Sequence, residues 1–380
     1  MTGTRGRVVS DAVRAGIAVA RAVVLLVVGS RLLRTARTQW RARLPVPDAT
    51  PVVPVGTISV VVPARDEAER LPGLLASLVG QPDVSEVIVV DDQSGDRTAG
   101  VARDAGATVV TGRPLPGGWA GKTWALQQGL RAASGEWVVF ADADVRFGSG
   151  AVAALVADAA VRGLDLTSVA PSFELPPGAR GLHAAMLTTL VYRFGGPGAA
   201  ARGRELANGQ CLVARRSTLV DAGGLEPVAG YVVEDVALAR WWSAAGRRVG
   251  VVGAPDLVRV EPYRTLAELW SGWGRSLGLP GVEHRARIAL DACALLVALP
   301  VPVIRLLLRR ADLVDAAFLG LRIATLVGTA RSYRGRGWSY WSSPLFDAAA
   351  TAAVGRSITR RTIRWRGRRL PVGPARTGRR

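Results

Sequence analysis

Lysine is almost missing from this chain: of 49 lysine and arginine residues, Lys122 alone is a lysine. Histidine, cysteine and methionine contribute two residues each. The two cysteines, Cys211 and Cys293, stand far apart in unlike contexts. They form neither a disulfide framework nor a zinc motif, and a reducing, cytosolic setting fits them best. No GxGxxG follows the first predicted strand, which argues against a dinucleotide-binding oxidoreductase. The basic runs lack interleaved aromatic platforms, and no helix-turn-helix or zinc spacing appears, so nucleic acid is not an expected partner. The apolar stretch 16–29 carries Arg21 and runs into further arginine with no small-residue cleavage site, unlike a cleavable signal peptide. No internal repeat is visible.

Acid is scarce too, with 30 Asp plus Glu and a formal net charge of +19. What acid there is falls into ordered clusters: Asp66-Glu67, Asp91-Asp92, Asp142-Ala143-Asp144 and Glu234-Asp235. The first three follow apolar runs that read as buried strands (ISVVVPARDE, EVIVVDD, EWVVFADAD). Scarce carboxylates gathered at successive strand ends suggest a site for a cation and something polyanionic.

At 380 residues the chain can bury one large α/β core with material to spare. Residues 1–45 read as a basic, hydrophobic helix and possible membrane anchor, and 46–56 as a Pro-rich linker. From residue 57 strands alternate with amphipathic helices: strands at 58–63, 86–90, 107–110 and 136–140, helices at 67–79, 96–105 and 123–132. Continuous apolar strands joined by helices imply a parallel sheet buried on both faces. Such sheets bind ligands at the carboxyl ends of their strands, where the acids sit. The sheet domain is expected over 57–255.

Residues 256–285 form an amphipathic segment with Leu266, Leu269, Trp270, Trp273 and Leu277 at helical spacing. That stripe suits either a membrane interface or packing against the sheet domain. Within 286–355, stretches 288–308 and 313–330 are apolar enough to span a membrane, with shallow or re-entrant helices as the rival. Each carries ionisable residues (Asp291 and Arg305; Asp315 and Arg322), and Pro300 and Pro302 interrupt the first. The arginine-rich tail 356–380 should stay cytoplasmic, as should the sheet domain if the spans are even in number. Arginines flanking apolar segments also attract anionic headgroups.

Two carboxylates at i and i+2 where a strand opens into a loop, Asp142 and Asp144, suit a hard divalent cation. Mg²⁺ takes one or two carboxylates and completes its shell with water and substrate phosphate. Ser94 or Asp96 is placed to cap the next helix. The PLPGGWAGKTWA segment is not a P-loop, because the position five residues before Gly121 is Pro116. Its lysine can still approach a diphosphate as a point charge. Glu234-Asp235 opens a helix, where acids are favoured by the dipole whatever the function. His183, in LHAAMLTTLVYRF, reads as a packed histidine rather than a catalytic one.

Together these residues resemble the family 2 glycosyltransferases of GT-A fold, over roughly residues 57–277. VVPARDE resembles the family's opening nucleotide-binding turn, VIVVDDQSGDRT its second strand, FADADV its metal-binding DxD, NGQCLVARR its acceptor-side strand and YVVEDVALAR its ED motif. GWAGKTWA and the apolar C-terminus look most like the hopanoid-associated and carotenoid (4,4'-diaponeurosporenoate-type) members. The resemblance implies an α/β GT-A domain with an N-terminal hydrophobic helix and C-terminal membrane helices. It implies a nucleotide pocket of Pro63, Arg65, Glu67, Asp92, Lys122 and Asp142, and Mn²⁺ or Mg²⁺ on Asp144. Asp235 would be the base, with Gly209, Gln210, Glu234, Trp273 and Arg275 on the acceptor side. The processive QxxRW motif is replaced by WSGWGRSL, which argues for a single transfer. The implied partners are a nucleotide-diphosphate sugar, a UDP-sugar first, a lipid acceptor and the membrane. Two other classes remain: a noncatalytic membrane scaffold with a degenerate transferase domain, and an Arg-rich nucleic-acid-binding protein.

Overall fold

A computed structural model describes residues 2–39, 43–44, 56–360, 362–365 and 368–371. The Pro-rich segment 46–55 and the end of the basic tail, 372–380, lie outside the described residues. The chain opens on a long helix, α1 (Thr2–Gln39). It then enters a βα series: β1 (Ile58–Ala64), α2 (Leu71–Leu78), β2 (Val84–Asp91), α3 (Thr98–Asp104), β3 (Thr108–Thr111), α4 (Gly121–Ala132) and β4 (Trp137–Ala141). After this come β5 (Val145–Phe147), α5 (Ala151–Val161), β6 (Leu166–Ala170), β7 (Ser172–Phe173) and α6 (Pro177–Phe194). β8 (Cys211–Arg215), α7 (Arg216–Asp221), α8 (Glu234–Ala244), β9 (Val249–Gly253) and β10 (Val258–Val260) complete the sheet region.

Seven strands form the main sheet in the order β3-β2-β1-β4-β8-β6-β9. β3, β2, β1 and β4 are parallel, as their apolar runs imply. β8 runs antiparallel to both β4 and β6, so the sheet is mixed rather than wholly parallel. The strand order reverses direction between β1 and β4, and the crevice at such a switch point is where α/β sheets bind ligands. Alternate side chains of β1 serve the two faces. Val60 and Val62 join α2, α3 and α5, while Val61 joins α4 and α8. Each of these valines is fully buried, which stabilises the fold by about 1.5–3 kcal/mol apiece. A second sheet, β5-β10-β7, escaped the sequence reading because its strands are two or three residues long. It carries the sheet region past residue 255, to Val260.

The helix expected at 67–79 begins only at Leu71. Residues 66–68 give their backbone N–H groups to the β2–α3 loop instead: Asp66 to Ser94 Oγ (3.0 Å), Glu67 to Thr98 Oγ1 (2.8 Å) and Ala68 to Asp96 Oδ2 (3.1 Å). Asp66 Oδ1 accepts in return from Gly95 N–H at 2.8 Å. Asp66 and Gln93, one in each loop, both have positive φ (54° and 58°), a conformation uncommon outside glycine that Asp tolerates better than Gln does.

The remaining helices are α9 (Leu266–Ser276), α10 (Arg285–Ala298), α11 (Pro300–Leu307), α12 (Leu313–Thr329), α13 (Trp338–Trp341) and α14 (Asp347–Thr359). The break between α10 and α11 falls at Leu299, just before Pro300, where proline denies the helix a donor. Of these, α9, α10, α12 and α14 share one apolar core with α1 and α6. α6 thus lies inside 57–255 in sequence yet packs with the helical bundle, being buried nearly all round, with Ala179, Leu182, Ala185, Met186 and Tyr192 in the bundle core. The α9 stripe packs in that bundle as well: Leu269 and Leu277 are buried there, with Trp270 and Trp273 against it.

Three stretches are long and apolar enough to cross a membrane: Ala12–Thr38, Arg285–Leu307 and Leu313–Ser332. Several of their ionisable residues are paired. Asp291 binds Arg193 (3.1 Å) and Arg204 (2.8 Å), and Arg322 binds Asp347 through two 2.9 Å bonds. Asp315 binds Arg21 at 2.6 Å and Arg305 at 2.8 Å. Charges at low dielectric are tolerated in this paired form.

Candidate functional site

Of the residues that the resemblance assigns to the nucleotide, metal, base and acceptor roles, all but Arg275 line one cavity of about 1130 Å³. The Arg275 side chain lies outside the described residues. The fold explains the convergence. β1, β2 and β4 end side by side, so Arg65, Glu67, Asp92, Asp142 and Asp144 emerge at one edge. β8 runs the other way, so the residues that precede it, Asn208 to Gln210, arrive at that same edge. Asp142 N–H donates to Gln210 C=O at 3.0 Å and extends the β4–β8 ladder into the site.

Lys122 enters from the first turn of α4. Gly129 lets that helix press onto β1, since a Cβ there would stand 2.3 Å from Val61 Cγ1. The Lys122 ammonium directs its three donors at Asp142 Oδ2 (2.9 Å), Glu234 Oε1 (3.0 Å) and Gly209 C=O (3.1 Å). The third and fourth acidic clusters are therefore joined through one cation. Burial opposes its charge, but Asp142, Glu234 and Asp235 outweigh burial and raise its pKa. Reaching a diphosphate would cost it one of these contacts.

Glu234 and Asp235 begin α8. Asp235 accepts from Gly209 N–H at 2.6 Å and from its neighbour Val236 N–H at 2.8 Å. Glycine at 209 permits this approach, for a Cβ would lie 3.1 Å from Asp235 Oδ2. Burial pushes the Glu234 carboxyl up to about 7 even with Lys122 opposing it. Asp235 is raised as well, again chiefly by burial.

Asp144 accepts from Gln210 Nε2 at 3.2 Å through Oδ2, while its buried Oδ1 has no hydrogen-bond partner. Burial, with Asp142 next, pushes it up to about 7. A buried carboxylate oxygen without a donor, beside a second carboxylate, suits a hard divalent cation. Among the described residues no three His, Cys, Asp or Glu side chains are grouped to hold a metal by themselves. That is the pattern expected when one or two carboxylates share a cation with substrate phosphates.

Arg65 donates to Asp92 C=O at 2.9 Å, with Asp92 Oδ2 3.7 Å away and almost fully buried. Pro63 and Glu67 line the wall beside them. Asp66 and Asp91 serve the loops instead, Asp91 Oδ1 accepting from Ser94 N–H at 3.2 Å. Asp96 caps locally through Thr98 N–H (2.9 Å). Trp273 lines the cavity and stacks on His183, ring centres 4.3 Å apart. His183 is fully buried, bonds Tyr333 Oη through Nδ1 at 2.7 Å, and is pushed down to about 3 by burial. It is a packed residue. Arg70 was missed: it pairs with Glu67 at 3.7 Å and opposes the charge of Asp144. Its i+3 spacing from Glu67 was the available signal. The far walls of the cavity were missed as well. They come from α1, α6 and α12, including Leu32, Leu190, Leu321 and Val327, which read as nothing more than apolar helix.

Residues 59–174 match glycosyl transferase family 2. A 4,4'-diaponeurosporenoate glycosyltransferase of Staphylococcus haemolyticus (strain JCSC1435) is 46% identical over 91 residues, 23% of this chain and 24% of that protein. Its counterpart in Staphylococcus aureus (strain USA300) is 43% identical over 91 residues, 24% of each chain. The match thus spans about a quarter of the length of these curated relatives. A solved mannosyltransferase from Pyrobaculum calidifontis, in complex with GDP-Man and Mn²⁺, superposes with a TM-score of 0.54 at 19% identity. That superposition covers 89% of this chain and 99% of the other, a likeness of fold that extends beyond the sheet region.

Proposed function

We propose, from the match of residues 59–174 to glycosyl transferase family 2, that the chain moves a single sugar from a nucleoside-diphosphate sugar to a lipid acceptor at a membrane. One observation carries the reading: a single cavity has the ordered carboxylates at one end and helices apolar enough to span a bilayer at the other. Its size exceeds the roughly 300–1,000 Å³ of a site for one small ligand, which leaves room for a donor and a second, apolar molecule. The 4,4'-diaponeurosporenoate in the staphylococcal relatives' name directs attention to a carotenoid acceptor, hopanoid and polyprenyl lipids are the other terpenoids to test, and UDP-sugars are the donors to try first.

In this reading Pro63, Arg65, Glu67 and Asp92 bind the nucleoside, and Asp142 lies beside the ribose or diphosphate. Asp144 holds Mn²⁺ or Mg²⁺, which would supply Lewis-acid neutralisation of charge on the departing diphosphate. Lys122 keeps Asp142 and Glu234 in register across the site and adds its charge to the diphosphate side. The acceptor oxygen attacks the anomeric carbon as the bond to the diphosphate oxygen breaks, and the electron pair leaves with the nucleoside diphosphate. Asp235 takes the acceptor's proton as general base. A single displacement inverts the anomeric configuration. An acceptor that is already an anion needs no base, and Asp235 then orients it. Gly209, Gln210, Glu234, Trp273 and Arg275 form the acceptor side. With the basic tail held inside and two spans between it and the sheet domain, this reading has the sheet domain facing the cytoplasm.

The test is thermal. UDP with Mn²⁺ should raise the melting temperature of the full chain in detergent, and Asp144→Ala should abolish the metal-dependent part. No shift with any nucleoside diphosphate would sink the reading. Lipid extracts from cells with and without the gene, screened for a hexose mass difference, identify the acceptor.

A further inference from the structure

The cavity is open sideways. Leu33 on α1 and Val327 on α12 line it, yet they are 61% and 59% exposed. They are the lips of an opening, not parts of a closed wall. Both lie within stretches apolar enough to span a bilayer, Ala12–Thr38 and Leu313–Ser332, so the opening faces the depth at which lipid chains lie.

How the two helices are fastened explains why a gap persists. At one level Arg21 of α1 binds Asp312 at 2.7 Å and Asp315 at 2.6 Å, at the start of α12. Farther along, α1 leaves α12 and is tied to the loop after α6: Gly196 N–H donates to Thr35 Oγ1 at 2.9 Å. Between these fastenings Gly29 and Gly328 line the cavity from its two sides. A Cβ on either would meet no atom within 4 Å. Glycine inside a helix costs about 1 kcal/mol relative to alanine. Here it leaves open space at the cavity's edge that no described residue occupies.

We infer that the gap between α1 and α12 is the portal through which the apolar chain of the acceptor enters from the bilayer, with its polar end reaching the carboxylates. This rests on the transferase reading above and specifies how its acceptor arrives. The occupant is an amphipathic lipid with an apolar tail and one polar, sugar-accepting end. A water-soluble acceptor has no need of an opening lined by Leu33, Ala324 and Val327.

The experiment uses the full chain in phospholipid nanodiscs and a farnesyl alcohol carrying a diazirine as the probe. Photolabelled positions are mapped by mass spectrometry in the wild type and three variants. Gly328→Phe and Gly29→Phe each place a ring in the gap. Gly320→Phe, two turns back along α12, outside the cavity lining and with equally open surroundings, is the control. In the wild type and Gly320→Phe, label is expected on 29–36 and 324–328. In both plugged variants it should fall about tenfold, equivalent to ~1.4 kcal/mol. A retained melting-temperature shift with UDP and Mn²⁺ shows that those variants are folded. Label confined to outward-facing positions such as Leu26 and Ile323, or unchanged label in both plugged variants, overturns the portal. Failure of UDP to stabilise the wild type defeats the transferase reading separately, since the labelling pattern does not depend on nucleotide.

Discussion

Lys122 and Glu234 form an ion pair across the floor of the cavity, Nζ to Oε1 3.0 Å, although 111 residues of chain separate positions 123 to 233 between them. Their pairing binds the start of α4 to the start of α8, and Asp142 closes the bridge on the opposite side at 2.9 Å. The only lysine in the chain is thus committed to carboxylates.

Replacing Lys122 with Met should leave Asp142 and Glu234 without their shared cation. Sugar transfer, or donor hydrolysis where the acceptor is unknown, is expected to fall about 10²–10³-fold, the range for loss of one positioned electrostatic group. Lys122→Arg should recover part of that. Steady-state rates at wild-type level in Lys122→Met would show the bridge to be irrelevant to turnover.

Asp144→Asn should remove the effect of Mn²⁺ on nucleotide binding while leaving the sheet intact. A ligand at a hundredfold over its Kd stabilises by ~2.7 kcal/mol, and the metal-dependent part of that gain is what the variant should lose. Calorimetric titration of UDP with and without Mn²⁺ measures it. Identical titrations in wild type and variant would place the metal elsewhere.

The pH dependence follows from Glu234 and Asp144, both pushed up to about 7 by burial from an ordinary carboxylate range near 4. The native state then holds these protons more tightly than the unfolded chain does. Their contribution to stability is present at low pH and is lost as pH rises from about 4 to 7. Activity runs the other way, because a base must be ionised: with the Asp235 carboxyl raised above its ordinary range by burial, kcat/KM should climb with pH to a plateau. Removing the negative charge of Asp142 in Asp142→Asn should favour ionised Asp235 and move that rise to lower pH. A rate profile flat from about pH 5.5 to 9 would count against a carboxylate base.

Arg322 and Asp347 test the bundle. Their side chains are 4% and 1% exposed, and the pair is bidentate. Arg322→Met alone strands a buried carboxylate and should cost ~3–5 kcal/mol, whereas Arg322→Met with Asp347→Leu should be close to neutral. Melting curves of the two variants in the same detergent decide this. Equal losses in both would mean that packing, not charge pairing, governs the site.

Much of this was written locally. Val60, Val61 and Val62 announce a strand buried on both faces, and Asp92, Asp142 and Asp144 are placed by the strands they follow. Short-range pattern was enough there, because a strand end fixes where the next residue emerges. Asp66 shows where local reading stops. It looked like part of a binding cluster, yet its carboxylate holds Gly95 of the neighbouring loop. Only the pairing of β1 with β2 brings those loops together.

By itself, the sequence determined the βα series, the order of the carboxylates and the apolar stretches, since strand and helix periodicity and acid placement are properties of neighbouring residues. Tertiary structure alone decided the reversed direction of β8, the membership of α6 in the bundle, the partners of Lys122 and the opening between α1 and α12. Each of these depends on contacts between residues far apart in the chain. Their geometry exists only once the sheet has closed around its core and the helices have found one another.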